Sequence, residues 1–174
     1  MHVLNKFKYC PQCGDKNIAF EKKHFVCGNC NFDFYINSSG AVAGLITDEN
    51  GNLLLTRRKF DPFKNTLDLP GGFIDINEKA EDALVREIKE ELNLEITELN
   101  FFGSFPNTYT FKDIDYYTVD LTFECKVRTF ATLQANDDVS EVEFIPLKKI
   151  DTTEIGLSSI KTIVSTYIKK SLSS

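Results

Sequence analysis

Three glutamates and four cysteines in this chain are spaced as metal ligands are spaced. Between Gly72 and Leu94 the chain reads G-F-I-D-I-N-E-K-A-E-D-A-L-V-R-E-I-K-E-E-L-N-L, a glycine turn followed by a glutamate-loaded helix. At about 100° per residue, Glu87 and Glu91 point the same way as Ala80 and Leu84, inside the arc that Ile88 and Leu92 complete. Lys79, Asp82, Arg86 and Lys89 form the opposite, solvated face. Glu87, Glu90 and Glu91 stand at i, i+3 and i+4, where like charges repel, and partial desolvation would raise their pKa values unless a cation answers them. A divalent ion resolves both problems. Oxygen ligands of this kind favour Mg²⁺ or Mn²⁺ over zinc, and Mg²⁺ keeps waters and recruits substrate phosphates to fill its octahedron. The bland alternative is an amphipathic surface helix whose glutamates pair with Lys79, Arg86 and Lys89.

The thiols form a second frame. Cys10-Pro-Gln-Cys13-Gly14 and Cys27-Gly-Asn-Cys30-Asn31 are two C-x-x-C knuckles with 13 residues between them, each followed by a residue that tolerates positive φ. This spacing points to a structural zinc held by Cys10, Cys13, Cys27 and Cys30, because four sulfurs close the tetrahedron and leave no place for a substrate. Two disulfides would need an oxidising compartment, and iron in a similar knuckle site is a minor alternative. A segment of about 35 residues cannot bury a stable core by itself, so metal binding would supply its folding free energy.

The elements that must position these groups follow from periodicity. Ala41–Ile46 and Leu53–Leu55 read as strands joined through Asn50-Gly51, a hairpin signal. Leu67-Asp68-Leu69 leads into Pro70-Gly71-Gly72 and the glutamate helix. Phe101–Phe105, Tyr116–Arg128 and Val142–Ile145 read as further strands. Ile160, Ile163, Val164, Tyr167 and Ile168 lie on one face of a closing helix. The fold class expected is α/β, a mixed sheet between helices. Along the strand from Tyr117, the odd-numbered side, which includes Cys125, is apolar and should face the core, so Cys125 reads as inert packing rather than a nucleophile. His2 and His24 are the only histidines, and both lie in the cysteine region, which speaks against serine or cysteine triads.

Written as a pattern, Gly72, Glu78, Arg86-Glu87, Ile88, Glu90-Glu91 and Leu94 resemble the Nudix box, with Asn93 where that family has glycine. The resemblance implies an α/β/α sandwich over residues 37–174, preceded by a zinc ribbon over 1–36 that is similar to the one in NADH pyrophosphatases. It further implies a Mg²⁺- or Mn²⁺-dependent pyrophosphohydrolase acting on a nucleoside diphosphate linked to another moiety, such as NADH or ADP-ribose. Glu87, Glu90, Glu91 and the Gly71 carbonyl match the metal ligands, and Glu78 with Arg86 matches the pair that braces loop and helix. Asp138 and Glu141 resemble a late-loop acid that serves as ligand or base. Arg57 and Arg58 lead toward the glycine turn and are candidates for phosphate contact, with Phe60, Phe63 and Tyr109 as rings that could stack on a base. The longer signature of NADH pyrophosphatases survives only in fragments, at Gly103-Ser104-Phe105-Pro106-Asn107 and Tyr35-Ile36-Asn37, which speaks against NADH as the true substrate.

With 174 residues, 42% hydrophobic and 26% charged, the chain suits one packed domain and a small appendage. It has no apolar run of membrane-spanning length, and Met1–Lys6 lacks the apolar core of a signal peptide, so a cytoplasmic protein without membrane partners is expected. Residues 1–36 carry five Lys and three acids, net +2, whereas the rest carries 15 basic and 23 acidic residues, net −8. That acidic body argues against nucleic-acid binding beyond capped RNA ends, and makes a polyphosphate substrate dependent on metal. A homodimer is compatible with the resemblance. Two other readings are a nucleotide-sensing or RNA-associated protein without catalysis, and an isomerase of isoprenoid diphosphates, which would require an accessible catalytic cysteine.

Overall fold

The computed structural model describes residues 6–173, so His2 and most of the N-terminal stretch read above for a leader lie outside the described residues. The chain divides into two compact units, one running to residue 38 and including 108–117, the other comprising 39–107 and 118–174. In the first, β1 (Ile18–Phe20), β2 (His24–Cys27) and β3 (Asp33–Tyr35) form an antiparallel sheet in that order. Phe25 is fully buried at its centre, with the rings of Phe7 and Phe34 at 5.1 and 5.6 Å. A core of one buried phenylalanine among neighbouring rings is small, and the sulfur cluster described below has to complete it.

The second unit contains β4 (Ser39–Ile46), β5 (Asn52–Arg58), β6 (Leu67–Asp68), α1 (Ala80–Leu92), most of β7 (Ile96–Phe111) and β8 (Ile114–Val127), β9 (Val139–Pro146) and α2 (Ser158–Ser173). The strands pair as β4-β8-β7 and β6-β5-β9. β4 runs parallel to β8 from Ser39↔Thr118 to Ile46↔Cys125, whereas β5 is antiparallel to both β6 and β9. Side-chain alternation splits the core between the two helices. Val42, Ile46, Leu54, Phe123 and Cys125 pack with Leu84, Ile88 and Leu92 of α1, and Ala43, Leu45, Leu53 and Leu55 pack with Ile160, Ile163 and Val164 of α2. This is the expected α/β/α layering with a mixed sheet. No helix among the described residues is long and apolar enough to cross a membrane.

Three local expectations are corrected. The Asn50-Gly51 turn forms, with Gly51 at φ 76° and Asp48 accepting from the N–H groups of Asn50 and Asn52, but its two strands part into different sheets after the single bridge Thr47↔Leu53. β4 instead finds its partner in β8, far along the sequence. β7 and β8 are the arms of one long hairpin whose two-residue turn is Lys112-Asp113, at φ 48° and 63°. Left-handed geometry at both positions is ordinarily marked by Asn-Gly or Asp-Gly, so this turn carried no signal. Finally, both faces of β8 are covered: Thr118, Asp120 and Thr122 are as buried as Phe123 and Cys125. Cys125 is nonetheless buried as expected, and that burial pushes its thiol up to about 12.

Candidate active site and metal centre

The glutamate helix is held at both ends by backbone geometry. Its C-cap, Asn93, adopts the left-handed conformation at φ 54°, and its N–H reaches the carbonyls of Ile88 and Lys89. Asparagine tolerates this conformation better than other non-glycine residues. Its side chain also accepts from Lys89 Nζ at 2.6 Å and donates to the Thr132 carbonyl at 3.1 Å, contacts that glycine could not make. Before the helix, the Pro70-Gly71-Gly72 turn is stitched to β4: Val42 N–H donates to the Gly72 carbonyl and Gly44 N–H to that of Pro70, both at 2.8 Å. Gly71 sits at φ 143°, and a Cβ there would collide with the Val42 carbonyl. A Cβ on Gly72 would lie 2.6 Å from the Glu87 carboxylate. The glycines therefore let the turn pass between β4 and α1 close enough to touch the glutamates.

Arg86 organises the exposed side of the cluster. It grips Glu78 through two parallel bonds, Nε to Oε1 at 2.9 Å and Nη2 to Oε2 at 2.8 Å, and donates from Nη1 to Glu87 at 2.7 Å and Glu90 at 3.2 Å. Nη2 also reaches the Phe73 carbonyl at 3.1 Å, tying the helix to the loop. The guanidinium, together with the Asp75 N–H, holds the Glu78 carboxyl at about 2. Only a planar fork can serve this many acceptors at once.

Glu91 is different. It is 7% exposed, accepts the Gly71 N–H at 3.0 Å, and has no ion-pair partner among the described residues. Burial pushes its carboxyl up to about 8 against the pull of that N–H, and the charges of Glu87, Asp68 and Asp138 add to the rise. Glu87 is also raised, first by burial and then by Glu90 and Asp137, although Arg86 opposes the shift. Arg86 thus serves Glu78, Glu87 and Glu90 at once and leaves Glu91 with only the Gly71 N–H. The donor set is all oxygen and short of positive charge, chemistry with which Glu87, Glu90 and Glu91 could hold a hard divalent cation.

Asp138 belongs to a loop anchored on the end of α1, where Asn136 N–H donates to the Glu91 carbonyl at 2.8 Å and Gln134 N–H to that of Leu92 at 3.1 Å. Glu141 lies on β9 opposite Arg57. Alternation puts it with Ile145, on the α2 side, whereas Val142 and Phe144 pack toward α1. Asp138 is therefore brought to the glutamate cluster, and Glu141 is directed to the other face. Arg57 pairs with Glu143 at 2.6 Å and Glu154 at 3.1 Å, and Arg58 with Asp68 at 2.7 Å. Asp68 escaped the sequence reading. It is 7% exposed, accepts the Leu69 N–H at 2.8 Å, and acts on Glu91 through its charge. The available signal was an acid between two leucines immediately before the Pro-Gly-Gly turn.

In the ribbon the four sulfurs of Cys10, Cys13, Cys27 and Cys30 lie within 4.8 Å of one another. Cys10 and Cys30 are 3.7 Å apart, and Cys13 and Cys27 3.6 Å. Bonds of about 2.3 Å to a tetrahedral zinc imply sulfur separations of about 3.8 Å, so the cluster fits that ion. The same separations are far beyond a disulfide bond of about 2.05 Å. All five cysteines are free thiols. Gly14 at φ 76° and Asn31 at φ 59° close the two knuckles. A bond from Phe32 pulls the Cys30 thiol down, but burial and the three neighbouring thiols carry it up to about 12, so a metal bound there would have to displace protons.

The model of the family described as NUDIX domain matches residues 38–163. The chain belongs to the Nudix hydrolase family. Among curated Nudix relatives, the ADP-ribose pyrophosphatase of Methanocaldococcus jannaschii is 34% identical over 119 residues, 68% of each chain. The NAD-capped RNA hydrolase NudC of Vibrio atlanticus is 26% identical over 106 residues, 60% of this chain and only 39% of that one. The present chain thus spans well under two thirds of the NudC length. Among solved structures, a NUDIX hydrolase from Nitrosomonas europaea matches with a TM-score of 0.69 and 21% identity, covering 94% of this chain and 92% of that one. The expected Nudix α/β/α fold is the fold this chain adopts.

Proposed function

We propose that this Nudix protein is a Mg²⁺- or Mn²⁺-dependent pyrophosphohydrolase that cleaves a nucleoside diphosphate linked to a second moiety, with ADP-ribose the first candidate substrate. The single observation that carries the reading is Glu91, a buried carboxylate with no ion-pair partner among the described residues, bonded to the Gly71 N–H and acted on by the charge of Glu87. A divalent cation, when bound there, would supply an acidified water and offset the charge of the bridging phosphates. Glu87, Glu90, Glu91 and the Gly71 carbonyl would hold it. Arg86 and Glu78 fix the glutamate helix against its loop, so that these oxygens do not have to be ordered on binding. Asp138, in the loop anchored above Glu91, is the acid available to take the proton of the attacking water; the new oxygen–phosphorus bond forms as the bridging phosphorus–oxygen bond breaks. The names of the relatives support the substrate class, an ADP-ribose pyrophosphatase and NAD-capped RNA hydrolases. The four cysteines would hold one structural zinc.

The test is chromatographic analysis of products after incubation with ADP-ribose, NADH, NAD-capped RNA, nucleotide sugars and nucleoside triphosphates, with and without Mg²⁺ or Mn²⁺. Metal-dependent release of AMP from ADP-ribose is the expected result. Binding without cleavage across the panel would favour a nucleotide sensor instead.

A further inference from the structure

The basic run Arg57-Arg58-Lys59 enters the site region, and its two arginines are both committed within the fold. Arg57 donates to Glu143, Glu154 and the Asn65 carbonyl, and Arg58 donates to the Pro62 carbonyl and to buried Asp68. Withdrawing Arg58 to meet a substrate would leave Asp68 as an uncompensated buried charge, which is strongly unfavourable. Lys59 has no such obligation. It is exposed, and among the described residues no carboxylate lies within ion-pair distance of it. Its Nζ donates to the Asp137 carbonyl at 2.9 Å and its main-chain N–H to the Asp138 carbonyl at 2.9 Å. An ammonium has three donors, and among the described residues one is used. The loop it binds is the one whose Asn136 N–H is fastened to the Glu91 carbonyl, so a short path of backbone bonds fixes Lys59 relative to the last turn of α1. The Phe60 ring centroid lies 5.3 Å from Nζ, a cation–π contact at an exposed ring.

We propose that Lys59, rather than Arg57 or Arg58, is the side chain that contacts a substrate phosphate, a cation at the rim of the site that is not committed to a carboxylate among the described residues. The inference rests on the pyrophosphohydrolase reading for its substrate class. A compact, mobile charge that needs no rearrangement of buried pairs suits this role better than a locked guanidinium. It also places one positive group beside acids that would otherwise repel a diphosphate.

The test compares Lys59→Ala and Lys59→Arg with the wild-type protein in two assays. In steady-state hydrolysis of ADP-ribose, Lys59→Ala should raise KM by about tenfold, as loss of a charge-assisted hydrogen bond does, while kcat changes little and the salt dependence of kcat/KM flattens. Lys59→Arg should restore most of the loss. Calorimetric binding of AMP, which has a phosphate but no bridge to cleave, reads the contact without any turnover. Weaker AMP binding by Lys59→Ala, recovered in Lys59→Arg, supports the proposal even if no substrate is hydrolysed, in which case only the hydrolase reading fails. Equal AMP affinity in wild type and Lys59→Ala, or no AMP binding by the wild type, overturns it. Arg58→Ala, by contrast, should lower the melting temperature, because it strips Asp68 of its partner.

Discussion

Glu91 is a carboxyl group from which water has been almost wholly removed, and its chemistry follows from that. Its unfolded counterpart ionises near 4.5, whereas burial in the folded chain pushes it up to about 8. Between those values the folded state holds a proton that the unfolded state has released, so in the metal-free protein this group's contribution to stability falls as pH rises through the window. Thermal melts without metal should therefore decline from pH 5.5 to 8, and Glu91→Gln, which cannot ionise, should flatten that decline. His24, bonded to Glu21 and Asp33, is also raised and acts in the same direction, so the informative quantity is the difference between variant and wild type at each pH. Added Mg²⁺ should raise the melting temperature of the wild type more at pH 8 than at pH 6, since metal and proton compete for the same oxygens. The variant should also lose turnover by at least about a hundredfold, as expected when a group is needed by the reaction and not by the fold. Much of this was legible in the sequence, because the conflict between Glu87, Glu91 and their apolar neighbours is local to one helix. The partners of Arg57 and Arg58 were not, since Glu143, Glu154 and Asp68 meet them only through strand pairing or chain return.

At the scale of elements, the turn before α1 is as consequential as the helix. Gly72→Ala would drive a methyl group into the Glu87 carboxylate. Turnover should fall by about tenfold or more, with a smaller change in melting temperature than Gly71→Ala, where the added carbon meets backbone and φ is positive. At the other end, Asn93→Gly should be close to neutral, gaining conformational ease and losing the bonds to Lys89 and Thr132, while Asn93→Ala should destabilise by about 1 kcal/mol because the left-handed cap remains and the amide is gone. Denaturant titrations of the two variants distinguish these outcomes. Caps and amphipathic faces are short-range features, which is why α1 and α2 could be read from spacing. The β7–β8 hairpin could not, because its turn is made by Lys112 and Asp113. The parting of β4 from β5 was also hidden, because pairing of β4 with β8 depends on residues some 80 positions later. Thr118, Asp120 and Thr122 are buried on the face of β8 that sequence alternation marks as polar, and α2 reaches that face, with Lys170 donating to Glu124 and Ser159 acting on Asp120.

The whole molecule combines a net +2 cysteine region with a net −8 body, and the two should fail independently. The Cys10, Cys13, Cys27 and Cys30 sulfurs are set for one zinc, so purified protein should contain close to one zinc per chain by elemental analysis. Cys13→Ser should lose that metal and loosen the first unit while leaving the box glutamates in place. On the proposed hydrolase reading the acidic body would use a hard cation that exchanges readily, and chelation of Mg²⁺ or Mn²⁺ should stop turnover without removing zinc. The most direct test of the central claim is AMP release from ADP-ribose by the wild-type protein and by Glu91→Gln, each with and without Mg²⁺. The account predicts AMP only from the wild type with metal present. Equal release by the variant, or release by the wild type in the complete absence of divalent cation, would contradict the assignment of Glu91 and its neighbours as the site of chemistry.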